Sequence, residues 1–474
     1  MIPITEYAGR DVAIYGLGRT GLAAAKALQA GGARVFAWDD GDMARATAEA
    51  QGINVTDLNK RDWQKFAALV LSPGIPFKFP QPHRLVRLAE TMGVPVVGDT
   101  ELFARAVQAL PEKGRPKVIG ITGTNGKSTT TALIGHILKE AGIDARVGGN
   151  IGTGVLDMQP LNANAVYVLE LSSYQLDLTS SLKCDVALFL NISPDHLDRH
   201  GGMDGYIAAK KRIFRNQDAR DVAVVGIDDP VTQSIAMGRK RPGEARVVPI
   251  SAEFGLARGV SAVGGYLHDS VGGQALRVGD LAMADALPGR HNHQNAAAAY
   301  AACAALGLSP GRIMAGIRSF PGLAHRMEKV GEIDGIRFIN DSKATNAQAA
   351  EQALKTFPKV HWIVGGKSKA EGIAPLEPFF DRVETAYLIG ESSADFAKTL
   401  DGKVKVQQCG TLEAATSAAY EEARKAGDSA PVVLLSPACA SFDQFKDFEA
   451  RGDAFREIVK RLAGEAEPPK AATG

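Results

Sequence analysis

The amino-acid sequence predicts an α/β protein built in three blocks, on three observations. At 474 residues the chain is too long for one ordinary core, and typical domain sizes of about 100–200 residues make three the expected number. Strand-like and helix-like segments alternate from residue 11 to 110, again from Val118, and again from about Arg337. That is the pattern of parallel sheets with crossover helices. At the head of the middle block, KVIGITGTNGKSTTTALIGHIL passes from an apolar strand into a glycine loop and at once into a helix.

In the first block, DVAIYGLG is a strand entering a glycine turn and TGLAAAKALQAGG is a helix with a glycine stop. ARVFAWDD is a second strand, and ALVLSPGIP is a later strand ending in a Ser-Pro-Gly turn. PEKGRPK, at 111–117, is polar and rich in Pro and Gly, and reads as a linker. In the middle block, AVYVLELSS and DVALFLNIS are strands that end in polar residues, where open α/β sheets place their ligands. Short alternating runs with Val and Gly from about 245 to 285 predict an antiparallel insertion. NHQNAAAAYAACAALG is a helix, and FPGLAHRMEKV closes the block. The third block runs IRFIND, a helix from Asn346, VHWIVGG, a helix, TAYLIG, a helix, VVLLSPA, and a last helix through Phe455 and Ile458. The linker at 111–117 and the stretch Glu332 to Gly335 read as hinges. The polar tail EAEPPKAATG is expected to stay disordered.

Composition narrows the class. The chain is 45% hydrophobic and 23% charged with a net charge of +1, so neither a nucleic-acid nor a membrane-surface partner is expected. No stretch of about 18 consecutive apolar residues is present and the N-terminus does not read as a secretory signal. The four cysteines, Cys184, Cys303, Cys409 and Cys439, have no C-x-x-C spacing and read as reduced cytosolic thiols. A cytoplasmic protein is therefore expected.

The loop Gly123-Thr124-Asn125-Gly126-Lys127-Ser128-Thr129 carries the sharpest chemistry. Glycines let backbone N–H groups close on phosphate oxygens, and a helix N-terminus adds partial positive charge. Lys127 is placed to reach the β- and γ-phosphates of a nucleoside triphosphate, and the Ser128 hydroxyl to sit on Mg2+. The loop is a short variant: a strict Walker A pattern has Gly where this chain has Ile121.

Other residues admit more than one reading. Gly16-Leu17-Gly18-Arg19-Thr20-Gly21, with Asp39 at the end of the next strand, fits a dinucleotide fingerprint, another nucleotide site, or a plain tight turn. Glu170 ends a strand and suits Mg2+, or is a surface carboxylate. The run Asp195-His196-Leu197-Asp198-Arg199-His200 is either a metal or phosphate loop or a solvated one. Tyr206 and Lys210 share a helix face, where Lys is usually a solvated residue. Asn292 and Asn295 are N-cap residues or readers of an adenine edge. His325, Arg326 and Asp341 lie near the junction of blocks two and three. The loops from Gly365 to Lys369 and from Leu435 to Ser441 each end a strand of block three.

Taken together, TGTNGKST, ELSSYQL, NISPDHLDRH, YIAAKKRIF, GRHNHQNAAAA, AHRME and NDSKATN resemble the Mur ligases, the ATP-dependent amino-acid-adding enzymes of peptidoglycan synthesis. GLGRTG, LSPGIP and LLSPACASFDQFKDFEARGDAF look like the branch of that family that adds D-glutamate. The resemblance spans nearly the whole chain. It implies a Rossmann-like UDP-substrate domain at 1–113, a central P-loop ATPase-like domain at 114–333, a Rossmann-like amino-acid domain at 334–463, and a tail at 464–474.

The resemblance also replaces the dinucleotide reading: Arg19, Thr20, Asp39 and Ser72 are expected to face the UDP part of UDP-N-acetylmuramoyl-L-alanine. Lys127 and Ser128 hold the ATP phosphates and Mg2+, with Glu170 and His196 at two Mg2+ positions. Lys210 matches a lysine that the family carbamylates, which needs a neutral amine and hence a pKa below the ordinary value of about 10.4. Lys127, His196 and Lys210 are the expected catalytic residues. Asn292 and Asn295 match adenine contacts, and Arg326 and Asp341 nucleotide contacts. Asn150 and His325 match contacts to the muramoyl group or phosphate. Thr345, Lys369, Ser441 and Phe448 match D-glutamate contacts, with Lys367 competing with Lys369. The implied reaction is amide formation through an acyl phosphate, by a monomer. Rivals are another ligase of the superfamily, a nicotinamide dehydrogenase built on GLGRTG, and a nucleotide-dependent switch.

Overall fold

The computed structural model describes residues 1–239, 242–368, 372–426 and 431–464. Lys369 and the tail from 465 lie outside the described residues. The chain divides into two compact units: Met1–Asp285 with Arg290–Phe320, and Ala286–Gly289 with the chain from Pro321 onward.

The first unit holds two sheets. One has β1 (Asp11–Tyr15), β2 (Arg34–Trp38), β3 (Phe66–Leu71) and β4 (Val96–Val97), in the order β2-β1-β3-β4. All its pairings are parallel. The glycine turn after β1 is sterically required. A Cβ on Gly21 would lie 1.8 Å from the carbonyl oxygen of Gly16, so only glycine lets the helix Arg19–Ala30 start so close to the strand.

The second sheet has nine strands: β5 (Lys117–Thr122), β6 (Ala145–Gly149), β7 (Val166–Glu170), β8 (Val186–Phe189), β9 (Val222–Gly226), β10 (Arg246–Ser251), β11 (Val260–Val263), β12 (Tyr266–Asp269) and β13 (Leu276–Asp280). Their order is β13-β12-β11-β10-β9-β8-β5-β7-β6. The insertion expected at 245–285 is antiparallel only in its second half. β10 and β11 continue the parallel sheet, and the reversal begins at the Gly264-Gly265 turn into β12.

The two sheets share a core, so the expected boundary near 113 separates sheets but not cores. Ile14, Leu102 and Phe103 from the first block belong to one buried cluster with Tyr167 and Leu169 from the second. The Glu101 carboxylate reaches across to accept from the backbone amides of Ser180 and Ser181, at 2.7 and 2.8 Å.

The second unit has one six-stranded sheet: β14 (Glu328–Ile333), β15 (Ile336–Asn340), β16 (Val360–Gly365), β17 (Val383–Ile389), β18 (Lys405–Gly410) and β19 (Val432–Leu435), in the order β14-β15-β19-β16-β17-β18. Its strands carry apolar clusters on both faces, one with the helix Ala347–Thr356 and the other with the helix Phe448–Leu462.

Two expectations are corrected here. The boundary at 333 would cut β14 from its partner β15, with which it pairs antiparallel from Glu328 to Ile333. The division falls near 320 instead. The stretch Glu332 to Gly335 is a hairpin turn within the sheet, not a hinge. Ile333 pairs with Ile336, and Asp334 and Gly335 both have positive φ (51° and 77°), the two-residue turn that suits strand twist.

Candidate functional site

In the first unit, β5 lies between β7 and β8, so the loops after all three strands emerge side by side. The loop Gly123–Gly126 opens onto the helix Lys127–Glu140. Gly123 and Gly126 take φ of 150° and 81°, backbone that side chains rarely adopt. A Cβ on Gly126 would meet Asn295 Oδ1 at 2.2 Å, so Asn295 packs directly on the loop. Asn295 Oδ1 also accepts from Thr130 Oγ1 at 3.2 Å, and its amide donates to Asn292 Oδ1 at 3.0 Å. Both asparagines are buried within the first turns of the helix Arg290–Ala305, which corrects the N-cap reading.

The loop is pinned from the β8 side. Asn191 Oδ1 accepts from the Asn125 amide at 2.9 Å. Thr124 N donates to the Asn191 carbonyl at 3.0 Å, and Thr124 Oγ1 to that of Ser193 at 3.1 Å. Asn191 was missed as a functional residue; its place just past an apolar strand was the available signal. Asn125 is exposed, while Ser128 and Thr129 are buried at the helix start.

Two lysines converge on one carbonyl. Lys127 Nζ donates to Gly123 O at 3.0 Å and to Thr124 O at 2.7 Å. Lys210 Nζ donates to Gly123 O at 2.7 Å. Lys210 is 2% exposed, so it is not the solvated helix residue its type suggests. Burial, and then the Lys127 charge, hold its amine well below the ordinary lysine range. Tyr206 supplies the ring beside Lys210, 4.7 Å from Nζ, and its hydroxyl meets Thr124 Oγ1 at 3.2 Å.

Glu170 ends β7 opposite Ile121 and is 2% exposed. Its Oε1 accepts from Asn150 Nδ2 at 2.8 Å, and its Oε2 is buried without a hydrogen-bond partner among the described residues. A buried carboxylate oxygen with no donor is a costly arrangement that a cation would relieve. Asn150 thus orients Glu170 through its side chain. His196 takes φ of 52°, strained for a non-glycine residue. Burial, opposed by Asp195 and reinforced by Lys210, lowers its pKa and favours neutral imidazole. Behind it, His200 Nε2 meets Ser173 Oγ at 2.9 Å, and His200 Nδ1 lies 3.1 Å from Asp177. Among the described residues no three His, Cys, Asp or Glu side chains converge as a ready-made metal site. A Mg2+ here needs Glu170 supplemented by hydroxyl, phosphate and water oxygens, the usual pattern for this ion, so an imidazole such as that of His196 would be an addition to that pattern.

At the first sheet, Arg19 begins a helix and is exposed, with Thr20 half-buried beside it. Asp39 is not a free ligand: its two oxygens accept from the amides of Leu17 at 2.7 Å and Gly41 at 2.8 Å. Ser72 Oγ donates to Gly16 O at 2.7 Å. Both residues shape the glycine turn that Arg19 and Thr20 flank.

The second unit gathers Asp341, Thr345, Ser441 and Phe448 after β15 and β19, adjacent parallel strands whose following helices pack on opposite faces, with His325 and Arg326 just before β14. Such a divergence opens a crevice at the strand ends. Asp341 is buried and accepts from Ser436 Oγ at 2.8 Å and from the Met327 amide at 3.2 Å. Burial pushes its pKa up to about 7, against the pull of Ser436 and Arg326. Arg326 and Thr345 are half-buried and Ser441 is buried. His325, also buried with φ of 61°, accepts from Asn340 Nδ2 at 3.2 Å and lies with its ring centre 6.3 Å from that of Phe448. Lys367 pairs by backbone with Ala440, its amide donating at 2.9 Å. Sequence reasoning did not find Arg451, which is buried beneath this crevice.

Residues 121–303 match the Mur ligase middle domain, and residues 325–439 match the Mur ligase glutamate ligase domain. The chain is 58% identical over 462 residues to a UDP-N-acetylmuramoylalanine–D-glutamate ligase of Caulobacter sp. (strain K31), covering 98% of each. It is 51% identical over 465 residues to the ligase of the same name from Brucella abortus (strain 2308), again covering 98% of each. Among solved structures, it resembles UDP-N-acetylmuramate-alanine ligase MurC from Thermotoga maritima, with TM-score 0.57 and 18% identity over 96% of this chain and 100% of that one. MurF from Acinetobacter baumannii gives TM-score 0.57 and 20% identity, over 90% and 91%. These two likenesses speak to the fold.

Proposed function

The chain belongs to the Mur ligase family, and from that premise we propose the reaction: ATP-dependent joining of D-glutamate to the L-alanyl carboxylate of UDP-N-acetylmuramoyl-L-alanine, in peptidoglycan precursor synthesis. Full-length likeness at 58% identity to a ligase of that name is the observation that carries the choice of substrates. The substrate carboxylate attacks the γ-phosphorus of ATP, and ADP leaves. The acyl phosphate is then attacked by the D-glutamate amine. The tetrahedral intermediate loses phosphate, and the amine loses a proton to solvent or a base. A free carboxylate is a poor acyl donor, and phosphorylation supplies the leaving group.

The protein's part is placement and charge. Backbone amides of Gly123 to Ser128 cradle the phosphates, and Lys127 leaves its own loop carbonyls to follow the charge on the transferred phosphoryl group. Ser128, Glu170 and neutral His196 are the groups to hold Mg2+, at two positions, and the orphaned Glu170 Oε2 fits that role. The metal supplies neutralisation of phosphoryl oxygens. Lys210, buried with its amine held toward neutrality, suits addition to carbon dioxide, giving a carbamate anion and a released proton. Asn295 packs the phosphate loop, and Asn292 and Asn295 together border the adenine site. Arg326 and Asp341 attend the nucleotide, and Asn150 and His325 the muramoyl group or phosphate. Thr345, Ser441 and Phe448 attend D-glutamate. Arg19 and Thr20 face UDP, with Asp39 and Ser72 holding the turn between them.

No helix among the described residues is long and apolar enough to cross a membrane. We place the enzyme in the cytoplasm as a monomer, where its ATP is made. Phosphate release in the presence of ATP, Mg2+ and UDP-N-acetylmuramoyl-L-alanine tests the assignment. Release that requires D-glutamate supports it; release with another amino acid, or with none, overturns it.

A further inference from the structure

Arg451 is among the largest fully buried side chains, at 1% exposure. It lies in the helix Phe448–Leu462 and reaches back under both lips of the second unit's crevice. Its Nε donates to Ser342 Oγ at 2.9 Å. Its Nη2 donates to Ser342 O at 2.8 Å and to Cys439 O at 3.0 Å. Ser342 follows β15 and Cys439 follows β19, so one guanidinium ties together the loops that carry Thr345 and Ser441. Ser342 Oγ passes the tie on, donating to the carbonyl of Phe448 at 2.8 Å. The third nitrogen, Nη1, is buried and has no hydrogen-bond partner among the described residues. It faces the loop after β16, where a Cβ on Gly366 would stand 3.3 Å away.

Every described hydrogen-bond acceptor of this cation is neutral. No described carboxylate forms an ion pair with it: the Cys439 thiol, its pKa pushed up by burial, stays neutral, and the Asp443 charge acts only at longer range. Burial lowers its pKa to about 10, which still leaves it charged at neutral pH. A buried, uncompensated guanidinium with a spare donor is expensive, and replacing such groups by apolar ones often stabilises a protein. Such an arrangement is useful where an anion arrives. In a low-dielectric setting its field reaches the loops above with little screening.

We propose that Arg451 is the positioning residue of the amino-acid subsite: it locks the 341–345 and 436–441 loops together and lends its uncompensated charge to the selection of a dicarboxylate over its singly charged analogue. This rests on the reading of those loops as the D-glutamate site.

The test compares wild type with Arg451→Lys and Arg451→Met, using D-glutamate as substrate and D-glutamine, its neutral-side-chain analogue, as competitor. Arg451→Met is expected to raise the KM for D-glutamate about tenfold or more, as fits a lost charge interaction, and to narrow the gap between that KM and the Ki of D-glutamine. The KM values for ATP and the UDP substrate should stay within about twofold, and Arg451→Lys should restore part of the gap. If the Met variant does not fold, Arg451→Gln is read the same way, since it too removes the charge while keeping a donor. A D-glutamate to D-glutamine ratio equal to wild type in the Met variant, or in the Gln variant when Met fails, overturns the proposal even if kcat and Tm fall. A wild type that consumes no D-glutamate would instead overturn the function reading beneath it.

Discussion

In the first unit, Lys127 and Lys210 both donate to Gly123 O; in the second, Arg451 donates to Ser342 and Cys439. Each unit thus aims cations at strand-end loops, but with different freedom. Lys127 is half-buried on a flexible stem, and a triphosphate can draw it off its carbonyls at small cost. Arg451 is sealed, and exchanging its bonds would mean opening the fold. The first unit therefore keeps charge that can follow a moving phosphoryl group, and the second keeps charge that holds a shape. The distinction matches the residue types, a compact ammonium against a planar fork.

The comparison breaks most visibly at Lys127. Lys127→Ala should cut ligation by about 10³-fold or more, because the transition state loses its mobile cation. Affinity for the UDP substrate, measured by calorimetry, should stay near wild type. Near-normal turnover would mean that the lysine is only a loop strut.

Lys210→Ala should lose about 10²-fold or more in kcat, and a small carboxylic acid in the buffer should restore part of it. If Lys210 carries the proposed carbamate, the substitution leaves a cavity and one anion too few for the metal, and a diffusible acid fills the first and replaces the second. Rescue by a small amine and not by acid would show that Lys210 acts as a second mobile cation.

Gly126→Ala sharpens the steric side. The new methyl would strike Asn295 Oδ1, and the left-handed backbone adds strain of about 1 kcal/mol. The KM for ATP should rise about tenfold, with D-glutamate KM little changed. A normal ATP KM would show that the loop is looser than its contacts imply.

The smallest effect concerns Asp341. Its folded pKa of about 7 lies above the unfolded carboxylate range, so the folded state holds the extra proton. Stability from this group is present at low pH and is lost as pH rises from about 4 to 7. Asp341→Asn removes that loss. Its Tm relative to wild type should climb across the same window, by about 2–4 °C for each kcal/mol released. A Tm difference that is flat from pH 4 to 7.5 would show that Asp341 is already ionised in the folded protein.

The phosphate loop was legible because its constraints are local: two glycines with unusual φ, a lysine and a hydroxyl lie within a few residues. The alternation of strands and helices was legible for the same reason. Three things were hidden because they depend on long-range packing. The shared core of Phe103 and Tyr167 makes one unit of two sheets. The Asp334-Gly335 turn was read as a hinge, although the pair is a common hairpin signal, because β14 looked like the end of the preceding block. Lys210 looked by its type alone like a solvated helix residue, and Arg451 drew no reading at all, since nothing in their neighbourhoods shows that the chain folds over them. Asp39 was found for its loop, while the service of its oxygens to amides 22 and 2 residues away was not legible.

Gly126 has a last consequence, for inhibition and resistance. Its neighbour Asn295 fills the space where any side chain would go, and its backbone admits none comfortably. A compound whose grip is on the amides of this turn would press against atoms that every substitution leaves in place. Escape by substitution would have to deform the cradle that ATP itself needs.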